Sequence, residues 1–360
     1  MANIRSESAT TPFAPDARWL TRILRENSCL QTAQVTSIVA ERIGAEIGFL
    51  DSVVRWRLTY DRGEASAPKS VVVKVSSSEA GYRRIGELYN AYEREFQFYE
   101  QIAPDAPIRL PRCYARELTA DGAHLLVLED LAALTPGDQV AGLSASQAEA
   151  AIEALARFQA HWWSAPQLAS LAWMPTRNIL PSRYSAAWPR FRESFAGRLP
   201  AAAMARGEQL FAGLETMLAL LERGPQTIAH SDFRADNLLF DPESAEHPVV
   251  ILDWQLAIRG PGVLDVARLV GGSLRPPVRA AAEESLVRRW HETLAANGVR
   301  QYSWRQACDD YRLAARICLY YPVTIHEAEE AAGRRGTALA AAQIERFFAA
   351  AADDDGPPAR

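Results

Sequence analysis

His230 and Asp232 open the run His-Ser-Asp-Phe-Arg-Ala-Asp-Asn over 230–237, which passes into the apolar Leu238-Leu239-Phe240. Sixteen residues beyond Asn237, a second apolar run, Val249-Val250-Ile251-Leu252, ends in Asp253-Trp254. Phosphoryl transfer from a nucleotide needs this equipment. One carboxylate, Asp232, would face an acceptor hydroxyl and take its proton. An amide oxygen from Asn237 and the carboxylate of Asp253 would hold Mg2+ against the phosphates. The five-residue step from Asp232 to Asn237 lets one tight loop aim the first at the acceptor and the second at the metal. Asp253 closes an apolar strand, a rigid element suited to gripping an ion.

Taken singly, each residue has a plainer use. A loop aspartate forms turns, an asparagine caps helices, and a histidine such as His230 more often satisfies a core hydrogen bond than it catalyses. The joint pattern is harder to reach by accident, and the chain adds to it. Lys74 stands among Val71, Val72, Val73 and Val75, with Gly44 and Gly48 upstream and a glutamate-bearing helix downstream. Those glycines could let backbone approach phosphates, although Gly-Ala-Glu-Ile-Gly is poor in glycine for such a loop.

Elements must position these groups. Gln34–Ile43 and Phe49–Tyr60 alternate as strands around the Gly44–Gly48 loop, and Ser70–Ser76 follows as a third. Leu88, Tyr92, Phe96, Tyr99 and Ile102 change to helical spacing, ended by Pro104 and Pro107. Arg112–Leu118 and His124–Glu129 read as a hairpin about Asp121-Gly122. Beyond Asp130 the texture turns helical. Ser144 with Gln147 signs a capping box ahead of the stripe Ala148, Ile152, Leu155 and Trp162. Further helices are predicted at Leu210–Leu221, Pro277–Ala296, Tyr302–Tyr320 and Ala338–Ala351, interrupted by short strands at Gln226–Ala229 and Pro248–Leu252. The layout is a sheet lobe, 1–130, that would bind the nucleotide, and a helical lobe, 131–360, with the catalytic loop and acceptor site.

Composition excludes other classes. A formal charge of −5 over 360 residues argues against a general nucleic-acid binder, which needs a basic face. Cys29, Cys113, Cys308 and Cys318 form no C-x-x-C pair and read as free thiols in a reducing compartment. The opening residues lack the apolar stretch of a secretory signal. Phe158–Thr176 is free of Asp, Glu, Lys and Arg, but Gln159, His161, Ser164, Pro166 and Gln167 keep it from facing lipid. The expectation is a soluble cytoplasmic protein with no membrane, nucleic-acid or obligate protein partner.

These residues resemble the aminoglycoside phosphotransferase/choline kinase superfamily, from about Trp19 to the C-terminal helices. Several stretches are similar to its ecdysteroid-kinase-like (CHK-type) branch: Ala67-Pro68-Lys69-Ser70-Val71, Glu95 with Phe98-Tyr99, Leu128-Glu129-Asp130-Leu131, Gly137-Asp138-Gln139, Trp162-Trp163, and Asp253-Trp254-Gln255 with Gly260 and Asp265. The resemblance implies an α+β, bilobal protein-kinase-like fold, with a small antiparallel-sheet N-terminal lobe carrying one key helix and a larger, mostly helical C-terminal lobe. It implies Mg2+ as cofactor and ATP as co-substrate, the γ-phosphate passing to a hydroxyl of a small molecule. Asp232 would orient or deprotonate that hydroxyl, and Asn237 and Asp253 would ligate Mg2+. Lys74 would reach the α- and β-phosphates, fixed by Glu95, with Glu93 as the rival on the same helix. Glu129, Asp130 and Leu131 would offer backbone to adenine. His230 would support the catalytic loop and Asp265 brace it, while Arg234 and Asp236 are either structural or near substrate.

Two positions depart from the pattern. Ser231 replaces the usual glycine of the antibiotic kinases, with little effect expected of so small a residue, and Gln159 replaces a frequent histidine, where a buried amide satisfying the loop is expected. A protein kinase fits poorly, since Asp253 and Asp265 are too close for a long activation loop. Residue types leave GTP open as donor. For the acceptor, an uncharged or amphipathic hydroxyl compound is preferred. Its rivals are an aminoglycoside, for which Glu327, Glu329 and Glu330 are the candidate acidic residues, and a choline-like cation, which would want an aromatic cage, with Trp162, Trp163, Trp173 and Trp188 as the candidates. A silent nucleotide-binding scaffold is the alternative from another class.

Overall fold

Two units make up the chain in the computed structural model, which describes residues 16–43, 51–77, 79–118, 124–331 and 333–353. One comprises Met1–Gln101 with Pro111–Ala132, the other Ile102–Leu110 with Ala133–Arg360, so the segment 102–110 folds with the helical unit. Gly44 and Gly48 lie outside the described residues, as does the Asp121-Gly122 turn.

The first unit runs α1 (Ala17–Glu26), β1 (Val35–Ile43), β2 (Asp51–Tyr60), β3 (Ser70–Ser76), α2 (Ala80–Leu88), α3 (Ala91–Gln101), β4 (Cys113–Leu118) and β5 (His124–Glu129). Its five strands form one antiparallel sheet in the order β1-β2-β3-β5-β4. The two-residue period of β3 sends Val71 and Val73 into a core with Leu20, Leu24, Leu125 and Val127, and turns Lys74 to the opposite face. Lys74 pairs with Val53 on one side and Leu126 on the other, so its backbone is fixed in the middle of the sheet.

The sequence pattern suggested one helix in this unit; the described residues contain three. Asn90, with φ of 50°, breaks the expected Leu88–Ile102 helix into the end of α2 and the start of α3, and asparagine is among the few residues that tolerate that conformation. α1 is a short amphipathic segment whose Asp16 caps the Trp19 N–H at 2.7 Å.

The second unit runs β6 (Thr135–Pro136), α4 (Ala145–His161), α5 (Pro181–Phe195), α6 (Ala201–Leu221), β7 (Thr227–Ala229), β8 (Leu238–Phe240), β9 (Val249–Ile251), β10 (Ile258–Gly260), α7 (Val263–Ser273), α8 (Pro276–Ala296), α9 (Trp304–Ile317), α10 (Tyr320–Ala331) and α11 (Gly333–Ala352). Both hydrogen bonds of the Ser144–Gln147 capping box are formed at the start of α4. β8 pairs with β9 and β6, and β7 with β10. α7 escaped the sequence reading because every one of its residues is buried, which erases the amphipathic period. Pro189 in α5 hid that helix in the same reading.

Among the described residues no helix is long and apolar enough to cross a membrane. The architecture is α+β: an antiparallel sheet unit followed by a mostly helical one.

Candidate functional site

In the sheet unit, Lys74 Nζ lies 2.7 Å from Glu95 Oε2, and the two side chains are 9% and 1% exposed. α3 presents Tyr92, Glu95 and Tyr99 on one buried face at helical spacing, which is what brings Glu95 to the strand. Glu93 belongs elsewhere, accepting from Asn90 Nδ2 at 2.6 Å near the helix start. His124 stacks on Tyr92 with centroids 4.6 Å apart, and its Nδ1 is 2.9 Å from Ser76 Oγ. Burial, reinforced by the Lys74 charge, pushes the His124 imidazole down to about 3, so it is neutral in the fold.

Asp130 turns back onto the sheet. It accepts from Arg55 Nε at 2.7 Å and Ser70 Oγ at 2.5 Å. Burial alone would raise its carboxyl; the Arg55 and Ser70 bonds outweigh that and hold it below the usual range. The Glu129 carboxylate accepts the Arg112 N–H at 3.1 Å, and its own N–H donates to Arg112 O at 2.8 Å. Both side chains are therefore tied to neighbouring chain at the end of β5, and Leu131 follows, half-buried.

In the helical unit the 230–237 segment is gripped from several sides. Asp265, in the first turn of α7, accepts the His230 N–H and the Ser231 N–H, each at 2.7 Å, and Gln159 Nε2 at 3.1 Å. Burial pushes the Asp265 carboxyl up to about 6 against the pull of these donors. Gln159 is fully buried and also accepts from Trp290 Nε1 at 2.8 Å, so the amide joins α4, α7 and α8. His230 donates from Nε2 to Leu252 O at 2.7 Å and receives the Asp232 N–H on Nδ1 at 3.3 Å.

Ser231 has φ of 68°, the region that favours glycine. Its hydroxyl accepts from Asn178 Nδ2 at 2.9 Å and its carbonyl from Tyr321 Oη at 3.2 Å. The serine thus supplies a hydrogen bond that glycine could not.

Asp232 is the centre of the cluster, its side chain 21% exposed. Oδ1 accepts from Arg268 Nη2 at 3.2 Å, and Oδ2 from Arg234 Nε and Asn237 Nδ2, each at 3.2 Å. Burial would raise this carboxyl; the Arg234 and Arg268 guanidiniums overcome it and hold it at about 2. Charges alternate outward, since Arg234 also reaches Asp236 at 3.1 Å, and Asp236 accepts from Arg335 at 2.9 Å and the Gln139 N–H at 2.8 Å.

Asn237 and Asp253 come together through strand pairing. Leu238 opposes Ile251, and the Leu252 N–H donates to Asn237 O at 2.9 Å, one residue before Asp253. Asn237 Nδ2 also donates to Asp232 O at 2.9 Å, which turns the amide's Oδ1 away from Asp232. Asp253 adopts φ 65° and ψ 63° and accepts from Gln255 Nε2 at 3.1 Å. A left-handed aspartate costs about 1–2 kcal/mol, kept up here by the turn into Trp254–Leu256.

Sequence reading missed the roles of four residues. Gln139 is fully buried, accepts the Ala235 N–H at 2.8 Å, and donates to Gly272 O at 2.8 Å. Gly137 packs so close to the loop that a Cβ there would stand 2.3 Å from Ala235 O. Asn178 and Arg268 carried no signal, because a lone polar residue in a helical region reads as surface.

Solved structures share this fold. The GDP and kanamycin complex of APH(2'')-IIIa superposes with a TM-score of 0.56 at 14% identity, over 94% of this chain and all of that one (100%). Choline kinase from Cryptosporidium parvum Iowa II gives 0.52 at 10% identity, over 92% and 94%. A shorter likeness, 51% identical over 41 residues, is to acyl-CoA dehydrogenase family member 10 of Mus musculus; it spans 11% of this chain and only 4% of that protein. The fold is therefore that of the kinase-like phosphotransferases. The profile of the phosphotransferase enzyme family matches residues 52–305, and the chain belongs to that family.

Proposed function

We propose that this phosphotransferase is a small-molecule kinase, moving the γ-phosphoryl group of ATP, with Mg2+, to a hydroxyl of a small acceptor. The observation that carries the reading is the set around Asp232: a partly exposed carboxylate locked by three donors, beside an asparagine and an aspartate joined through a strand pair. The donor chemistry fits Mg2+. Asn237 Oδ1 and the Asp253 carboxylate are hard oxygens, and that ion takes one or two protein ligands and completes its shell with phosphates and water. Bound there, Mg2+ would neutralise phosphate charge. Lys74, held by Glu95, suits the α- and β-phosphates as a point charge.

In the transfer, the bond from the γ-phosphorus to the bridging oxygen breaks and a bond to the acceptor oxygen forms. ADP leaves, and the hydroxyl proton passes to Asp232 and then to solvent. A carboxylate held near 2 is a weak base, so Asp232 acts chiefly by accepting the hydroxyl's hydrogen bond and aiming its lone pair, taking the proton late.

The acceptor is read as uncharged or amphipathic rather than polycationic. Two guanidiniums sit 3.2 Å from the carboxylate that would meet it, while Glu327 and Glu330 are exposed. Trp188 is core, stacked between Tyr184 and Phe191, so it is not free to build a cation cage. A silent scaffold is disfavoured because it has no need of Lys74, Asp232, Asn237 and Asp253 together. Cys29, Cys113, Cys308 and Cys318 form no disulfide with one another, which suits a cytoplasmic setting.

The test is thermal stabilisation by ATP with and without Mg2+. The wild type should gain stability with both present, and Asp253→Ala should lose the Mg2+-dependent part. Equal stabilisation of the variant would move the metal away from Asp253.

A further inference from the structure

We propose that Arg268 is a positioning residue for the transfer step, holding the Asp232 carboxylate in the rotamer that meets the acceptor. The inference rests on the reading of Asp232 given above.

Arg268 lies on α7 and is 2% exposed. Its guanidinium sits over the Tyr321 ring, 4.0 Å from the centroid, and 5.4 Å from that of Phe347. Nη1 donates to Gln343 Oε1 at 2.9 Å and Nη2 to Asp232 Oδ1 at 3.2 Å, while Nε is buried with no partner. Burying a guanidinium with one donor unsatisfied is costly, and an apolar side chain of similar volume would fill the space at least as well. What the arginine adds is a fixed direction. Its planar fork, clamped by an aromatic face and an amide, leaves one N–H aimed at Asp232.

The helix supports the same conclusion. Asp265 and Arg268 are three residues apart and share a face of α7. Asp265 holds the loop's backbone at His230 and Ser231, and Arg268 holds the side chain of the next residue. Tyr321 repeats the pairing from α10, its hydroxyl on Ser231 O and its ring under Arg268. One helix face and one tyrosine therefore hold the loop and the Oδ1 side of its carboxylate, whose Oδ2 is held by Arg234 and Asn237.

The experiment combines crystal structures of the unliganded full-length variants with Mg-ATP hydrolysis, in which water takes the phosphoryl group to give ADP, phosphate and a proton. In Arg268→Met the Asp232 carboxylate should leave its position or split between rotamers, with the 230–237 backbone unmoved. Its kcat should fall at least about thirtyfold while KM for Mg-ATP stays within about twofold. Tyr321→Leu, which frees the guanidinium, should shift Asp232 in the same way, and Tyr321→Phe, which keeps the ring, should retain more activity than Tyr321→Leu. If Arg268→Met does not fold, the two Tyr321 variants decide. Asp232 unmoved with kcat near wild type, or Tyr321→Leu equal to Tyr321→Phe in both readouts, overturns the proposal. Asp232→Asn runs alongside. Loss of activity in Asp232→Asn with Arg268→Met unimpaired sinks Arg268 alone, and full activity in Asp232→Asn sinks the reading of Asp232 itself.

Discussion

Lys74 Nζ stands 2.7 Å from Glu95 Oε2 with both side chains almost wholly out of water, one on the central strand of the sheet and one on the helix beside it. Each charge answers for the other. Removing one partner of a buried pair strands the other, at about 3–5 kcal/mol, whereas removing both can be nearly neutral. Lys74→Met and Glu95→Leu should each lower the melting temperature, and the double variant should regain much of the loss. ATP binding should not return with it. Calorimetric melting and nucleotide titration of the three variants check this; a double variant less stable than both singles would show the pair is not coupled.

His124 gives the sheet unit an acid sensitivity. Its imidazole is pushed from 6.5 to about 3 by burial, so between those values the unfolded chain takes up a proton that the folded chain refuses. Stability is full above about 6.5 and is lost as pH falls toward 3, at up to about 1.4 kcal/mol per pH unit. His124→Phe, which keeps a ring against Tyr92, should flatten this part of the profile. Urea titrations from pH 7 to pH 4 measure it, and identical slopes for the two proteins would remove His124 as the cause.

Gly137 is a steric requirement of the 230–237 loop. A Cβ there would meet Ala235 O at 2.3 Å, a backbone atom that cannot move without shifting Asp232 and Asn237. Gly213, on α6, offers a control, since its Cβ would meet only Met217 Cε at 3.7 Å. Gly137→Ala should lower both stability and phosphoryl transfer, and Gly213→Ala should leave transfer unchanged and add up to about 1 kcal/mol of stability. Wild-type activity in Gly137→Ala would mean the loop tolerates displacement.

The sequence carried the strands and the chemistry-bearing residues more clearly than what holds them. Lys74 was legible because β3 alternates around it, and the His230–Asn237 run because so many polar residues crowd one short stretch ahead of an apolar strand. Arg268 and Gln139 were not, because their meaning lies in contacts spanning 36 and 96 residues. Gly137 was quoted only as part of a motif, since a close backbone approach leaves no periodic trace. Ser231 was expected to matter little, yet its left-handed backbone and its bond from Asn178 give it a role that size alone does not reveal. The break at Asn90 was hidden because apolar residues continue on both sides of it at helical spacing.

Phosphorylated product is the most direct measure of the central claim. The wild-type protein and Asp232→Asn, incubated with Mg-ATP and a pool of hydroxyl-bearing metabolites, can be compared by mass spectrometry for compounds that gain a phosphate as ADP appears. A hydroxyl compound phosphorylated by the wild type, and formed at least about a hundredfold more slowly by Asp232→Asn although it still binds ATP, is the result expected. Equal product from both proteins, or no metabolite phosphorylated by either while both bind Mg-ATP, would contradict a small-molecule kinase working through Asp232.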